Sequence, residues 1–512
     1  MSRVGIRRIL IHCVGLSLTI TLSPLSYALS PINSTQDGRI IQAGTYYNTP
    51  SGKTTFLNSH SGDLWLQSGS MVLGLEVNNS ANLTNNGGTI QLYAPNNVVR
   101  VDGNINVNGL VNGQGAYLGN GGKVLVNSAY LYQSGNITAL GSQGGHVNIN
   151  VNSATFGPTA KIDVSSPTGG GGSIHINATG VVDIRKGAVL NSSGIPLPGV
   201  DSNVIEVIGR VVNNEGLLSA NGINNNSGLN NASQGGTIQL SASNGNPNLQ
   251  PVATPLAGST IFSAANKLSI SNRLQGLVNN YANSIRNTDS ITANGGSNNI
   301  ASTNSGGTGG SGGTISLIAS QKILNQSTGI ITVNGGSNTS TSTSSSGITS
   351  KINIGGSGGR IDFLNQSNSQ LSQNDGLLQA NGATTSSFSN SLNQQNRGGN
   401  GGWIILNNLI NTGAIASNGG GTGSFGTNHG GLGGIITGVN LTNTNTGSVE
   451  AKGGSASGPN LQIGGAGGQM FLTDLTNHGL FSVDSGTASG PAFAIGAEGG
   501  LIEVFNVNNT GS

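Results

Sequence analysis

GGSGGRIDFL, Gly355–Leu364, decides the fold. A glycine pair, Gly358-Gly359, is followed two residues later by Ile361 and four residues later by Phe363. The same design returns along most of the chain. Its first aliphatic positions include Ile90, Val124, Val147, Ile174, Ile238, Ile315, Ile404, Ile436, Met470 and Ile502. Two residues beyond each, the chain repeats an apolar residue in every copy except Gly438. The intervening residue is unconstrained: Asn148, His175, Ser316, Asp362, Glu503. A period of two places the constrained pair on one face and the free residue on the other, so each copy reads as a half-buried strand. Ile361 and Phe363 are expected inward, Arg360 and Asp362 outward.

A second element alternates with the first, of the form G-x-I-x-A-N-G. It reads GLLSANG at Gly216–Gly222 and GLLQANG at Gly376–Gly382. Its inward residues are assigned as Ile105, Ile137, Ile162, Val189, Leu218, Ile291, Ile331, Leu378, Ile415, Val449 and Phe481. After Val189 the partner is Ile205-Glu206-Val207, which lacks the glycines. A further early coil is expected at Leu75-Glu76-Val77, leading to Ile90. From a glycine-pair strand to the next element the chain takes 11 to 17 residues, with one excursion of 53 between Ile238 and Ile291. The return connections range from 10 to 30 residues. One side of each coil is held constant while the other accepts insertions, as in a solenoid. The expected fold is all-β, a right-handed parallel β-helix of about twelve coils with one irregular, partly helical insertion.

Five segments follow. Residues 1–28 read as a signal peptide: Arg3, Arg7 and Arg8 precede the apolar run Ile9–Leu22, and Ser26-Tyr27-Ala28 offers small residues for cleavage. Residues 29–60, with Ile40, Ile41, Tyr46 and Tyr47, are expected to cap the open end of the stack. Residues 61–243 are compact coils. Residues 244–289 open with prolines at 247, 251 and 255, then place Leu274, Leu277, Val278, Tyr281 and Ile285 at helical spacing, expected to pack over the sheet. Residues 290–512 are coils with long Gly/Ser/Asn loops. NTGS at Asn509–Ser512 repeats the NTGS at Asn445–Ser448 that leads into another coil, so truncation mid-repeat is expected.

Of 512 residues, 87 are glycine and only 7% are charged. The formal charge of +2 owes its sign to the leader; without Arg3, Arg7 and Arg8 there are 16 basic residues against 17 acidic. That balance gives no electrostatic footprint for nucleic acid. The single cysteine, Cys13, lies in the leader, so the mature chain is expected to hold no disulfide, thiolate nucleophile or thiolate metal site.

Chemistry-bearing groups are sparse. No two acidic residues are adjacent, and Asp362 and Glu503 share an outward position only in distant coils. His60, His146, His175, His429 and His478 fall in different coils, with His146 and His175 on the outward phase as solvated imidazoles. Acid–base cleavage needs clustered carboxylates, and a metal needs converging ligands. No catalytic, cofactor-binding or metal residue is therefore assigned, no cofactor is implied, and the chain is expected not to be an enzyme. GGNGG at Gly398–Gly402 is followed by no Lys-Ser/Thr and is no phosphate loop. No membrane span is expected in the mature chain.

The alternation of N-x-G-x-I-x-A with G-G-x-I-x-L after a signal peptide resembles filamentous-haemagglutinin-type exoproteins, large secreted adhesins of Gram-negative bacteria. The tetrapeptide N-P-N-L at Asn246–Leu249 matches one of that family's secretion-domain motifs. The resemblance implies a secreted or outer-surface adhesin of a Gram-negative-type bacterium, exported by an outer-membrane secretion partner and binding glycan or protein ligands. The loops Ser297–Gly313, Ser337–Gly359, Ala383–Gly402 and Gly421–Gly434 are expected to be mobile and to carry ligand contact. The alternative is a carbohydrate-active β-helix enzyme, a polysaccharide lyase or hydrolase.

Overall fold

The computed structural model describes residues 39–41, 44–47, 54–58, 62–73, 86–197, 201–225, 231–243, 253–299, 307–340, 351–367, 369–387 and 394–512. The leader, Leu75-Glu76-Val77, His60 and Asn246–Leu249 lie outside them.

The chain is a parallel β-helix. Glycine-pair strands stack in register, so Ile361 pairs with Ile315 on one side and Ile404 on the other, and Phe363 with Leu317 and Leu406. Ile361 and Phe363 are fully buried, and Arg360 is exposed. Asp362 keeps the outward phase but is only 8% exposed, because Arg360 Nε bonds it at 2.7 Å. Each stacked aliphatic removes its side chain from water, worth about 1.5–3 kcal/mol. Gly438 leaves no gap in its column: a Cβ there would lie 3.1 Å from Leu472 Cδ2, so the neighbouring leucine fills the space.

The A-N-G elements form a second sheet of thirteen strands. Two sequence assignments move. Leu190 rather than Val189 pairs with Ile162 and Leu218 and is buried. The early strand is Ser70–Leu73, whose Val72 pairs with Ile105. At the N-terminal end, Arg39–Ile41, Gly44–Tyr47 and Thr54–Asn58 pair in register with the next coil. Their described strands form a rung of the solenoid.

A third strand per coil was not anticipated. The constant connection carries it, as in Val181–Ile184, Val211–Asn214, Ser284–Asn287 and Ile323–Asn325. Its defining feature is a buried asparagine ladder. Starting at Asn214, each amide Nδ2 donates to the next Oδ1 through Asn287, Asn325, Asn374, Asn411, Asn443, Asn477 and Asn509, at 2.7–2.9 Å. An amide both donates and accepts, so an asparagine column satisfies itself where a carboxylate column would repel. The asparagine of A-N-G works differently: its Oδ1 accepts the backbone N–H of the following coil, Asn294 Oδ1 from Asn334 N–H at 2.7 Å and Asn334 Oδ1 from Asn381 N–H at 2.8 Å.

Glycine pairs mark where the two limbs of one coil touch. Gly359 N–H bonds Val333 O, Gly402 bonds Ala380 and Gly434 bonds Ser417, all at 2.6 Å. In the C-terminal half a second pair extends the contact. The zigzag Gly399 to Ala383, Gly420 to Gly399 and Gly431 to Gly420 has bonds of 2.7–2.9 Å. A Cβ on Gly399 would lie 1.9 Å from Gly356 O, which no side chain accommodates. G-G-x-G-G therefore builds a thin backbone slab, and its glycines are steric requirements of close approach.

Beyond that slab, the described parts of the long loops pair with one another. Asn338–Ser340, Thr385–Ser387, Thr422–Gly423, Ala456–Ser457 and Ala488–Ser489 form one parallel sheet. Lys351–Ile354, Gln394–Arg397, Thr427–His429, Leu461–Ile463 and Phe493–Ile495 form another. This flange has a polar interior, with Asn353 bonded to Asn396 at 3.0 Å and Asn396 to Asn428 at 2.9 Å.

The insertion contains α1 (Ala253–Gly258) and α2 (Ala264–Tyr281). Ser263 caps α2, its side chain accepting Asn266 N–H at 3.2 Å. Ile270, Leu274 and Leu277 pack with Val98, Tyr130, Val181 and Val211 on the outside of the third strands. Ile285 is not helical; it re-enters the core in Ser284–Asn287. Among the described residues no helix is long and apolar enough to cross a membrane.

Candidate functional site

Stacking assembles clusters that the linear sequence disperses. On the outer face of the glycine-pair sheet, His175 and Glu206 each follow an aligned isoleucine, Ile174 and Ile205, and so occupy one outward column. His175 Nδ1 lies 2.9 Å from Glu206 Oε2, and Nε2 lies 2.5 Å from Asp201 Oδ2. A neutral imidazole has one donor and one acceptor, whereas a carboxylate at each nitrogen selects the doubly protonated ring. Partial burial alone would lower its pKa, but the bonds to Asp201 and Glu206 and their charge outweigh it, and the net shift is upward. His175 is thus an ion-paired bridge and not the solvated imidazole expected of its phase. His146, one coil back, behaves oppositely. Burial and then the nearby Lys123 lower its pKa, and its Nδ1 lies 2.8 Å from Ser173 Oγ. Ser173 is 1% exposed, so this Ser–His pair is closed to a substrate.

A second cluster lies under α2. Asp183 is fully buried and receives Arg273 Nε and Nη2 at 2.7 and 2.9 Å, Asn213 Nδ2 at 2.8 Å and Arg185 Nε at 3.1 Å. Arg273 also reaches Glu215 at 2.8 Å, and Glu215 accepts Arg286 at 2.6 Å. Burial would raise the Glu215 pKa, but Arg286 and Arg273 hold it below the usual carboxylate value. The sequence shows no carboxylate pair, yet register places Asp183 and Glu215 in adjacent coils. Both are saturated by guanidinium and amide donors, which makes the cluster a clamp holding the helix to the sheet.

The other outward histidines join neither cluster. His429 sits on the flange with its pKa lowered by burial and by Arg397, and His478 contacts Thr510. Among the described residues no three His, Cys, Asp or Glu side chains converge as metal ligands. A hollow of about 460 Å³ opens where the flange begins, lined by Pro167, Ile195, Ile223, Asn224, Asn225 and Asn231 among others.

The described parts of the four loops singled out from the sequence are thus brought together as a flange. Its first strand carries exposed Ile352, and Phe425 is exposed at the turn between Thr422–Gly423 and Thr427–His429. No family model matches the chain, and no curated protein or solved structure matches it.

Proposed function

We propose that this is an adhesin-like structural protein, secreted or held on the outer surface of a Gram-negative-type bacterium, that binds host, neighbour-cell or matrix ligands through its flange. The observation that carries the reading is the registered pairing of successive loops into two five-stranded sheets with an asparagine interior. A solenoid needs no such layer to bury its core. A loop surface fixed in advance loses less conformational freedom when a ligand docks, which favours binding. Exposed Ile352 and Phe425 on a largely polar layer provide apolar anchors.

The test is adhesion of the exported full chain to cells and to arrayed glycans and matrix proteins. I352S/F425S should abolish binding while the far-ultraviolet spectrum stays unchanged. Undiminished binding by that variant would refute the flange as the contact surface. N-terminal sequencing of the exported protein should find a start at Leu29, and sectioning of cells should place it outside.

The carbohydrate-active reading has one observation in its favour, the acid–base grouping of His175, Asp201 and Glu206 on an outer face. Product release from polysaccharides that disappears in both H175N and E206Q would replace the adhesin reading.

A further inference from the structure

The outward face of the glycine-pair sheet changes character along the rod. One column runs Thr237, Thr314, Arg360, Trp403, Ile435 and Gln469 in register. The next runs Ser316, Asp362, Ile405, Thr437 and Phe471. The fold asks nothing apolar of these positions, since the two preceding coils fill them with Thr237 and Gln239 and with Thr314 and Ser316. Trp403 is nevertheless a large aromatic left 41% exposed, next to Ile435 at 36%. Its indole N–H bonds Thr437 Oγ1 at 3.3 Å, and the Arg360 guanidinium carbon sits 4.9 Å from the ring centroid. Arg360 is itself tied to Asp362 at 2.7 Å. The ring is thus held in one orientation by neighbours in the coils on either side.

We propose that Trp403 is the platform of a binding site for a neutral, extended polysaccharide lying along the rod axis. A pyranose presents a C–H face that stacks on an aromatic ring and an edge of hydroxyls that need donors and acceptors beside it. Thr437, Gln469, Arg360 and Asp362 supply both kinds around Trp403. The Arg360–Asp362 pair leaves the patch without net charge, which suits an uncharged sugar better than a sulfated or uronic one. A protein partner would have to desolvate that ion pair against a narrow apolar strip, an unfavourable exchange. Phe471 lies two rungs beyond Trp403 and in the neighbouring column, about 10 Å along the rod and about 7 Å across it, so a second aromatic ring borders the path of the chain. The site shares no residue with the flange and stands or falls apart from it.

Trp65 and Trp403 are the chain's two tryptophans, so W65F leaves Trp403 as the sole indole reporter. Full-length W65F should show saturable quenching or a blue shift of its emission with cellohexaose or chitohexaose. In native gels containing hydroxyethylcellulose, W403A should bind at least tenfold more weakly than the unaltered chain, and F471A several-fold more weakly. Thermal unfolding of W403A within a few degrees of the unaltered chain establishes that the fold is intact, and T437A, which keeps the ring, repeats the test with a milder change. I352S/F425S should leave the emission response untouched. The proposal is overturned if neither hexasaccharide alters the emission at millimolar concentration, if W403A binds undiminished, or if only heparin binds and salt removes it.

Discussion

Asn374 Nδ2 donates to Asn411 Oδ1 at 2.7 Å, and Asn374 Oδ1 in turn accepts Asn325 Nδ2 at 2.8 Å. All three residues are fully buried. An interior rung of the ladder therefore has no spare amide, and its removal is felt on both sides. Asn374→Ala deprives Asn411 of a donor and Asn325 of an acceptor, a loss of about 2–4 kcal/mol at the usual cost of a buried unpaired group. Because solenoid coils unfold semi-independently, the loss should appear as faster amide exchange confined to the neighbouring rungs. Asn374→Asp supplies a sharper check. The protonated acid can donate once and accept once, whereas the carboxylate only accepts. Burial raises that acid's pKa in the fold above the unfolded 3.9, so its stability should fall as pH rises. A pH-independent deficit would contradict the ladder.

Glycine substitutions should separate into two classes. Gly399→Ala must push a methyl group against Gly356 O, 1.9 Å away, and should break the slab and detach the flange, read as new protease sites in the C-terminal half. Gly276, inside α2, meets nothing within 4 Å. There alanine should stabilise the helix by about 0.5–1 kcal/mol through reduced backbone entropy. Equal responses from the two would mean that the slab is not a steric necessity.

The same contrast explains how much was legible. Ile174, Ile238, Ile361 and Ile404 repeat at fixed offsets beside glycines, and from them follow the parallel strands and the phase of Arg360 and Asp362. The third strand lacks that signal. Its inward position passes through Val212, Ile285, Ile323, Ser372 and Leu409, and its constant residue is an asparagine, which ordinarily marks a turn. Two-residue periodicity could not find a strand whose repeated inward side chain is polar. The His175–Glu206 contact was recoverable, since each residue follows an isoleucine already aligned between coils. The Asp183–Arg273 contact was not, because nothing in the sequence fixes how a helix 90 residues away lies on the sheet.

Removing the helix clamp gives the third prediction. Arg273→Met keeps the aliphatic stem over the sheet but leaves fully buried Asp183 with Arg185 and Asn213 alone. A buried charged acceptor short of its donors costs about 1–3 kcal/mol or somewhat more. The expected outcome is release of α2, seen as cleavage within Ala264–Tyr281 under limited proteolysis that spares the coils. Asp183→Asn in the same chain removes the stranded charge and should restore part of the resistance. No recovery in the double variant would show that Arg273 acts through packing alone.

The last prediction concerns pH. His175 has a folded pKa above its ordinary value of 6.5, because the bonds to Asp201 and Glu206 outweigh burial. A group whose pKa is raised in the fold contributes stability that is complete below the unfolded pKa and disappears as pH climbs through the folded one. Coils around Ile174 and Ile205 should therefore lose stability from near neutrality upward. His146 runs the other way: burial and Lys123 lower its pKa, so its contribution is lost as pH falls through the depressed value. The two histidines divide the pH axis between them, His146 acting on the acid side and His175 on the alkaline side. Titration of the imidazole resonances by NMR should place His175 above 6.5 and His146 below it. In H175Q the decline toward alkaline pH should vanish, while the acid limb due to His146 remains. A His175 resonance that titrates below 6.5 would mean that Asp201 and Glu206 do not hold the ring in its charged form.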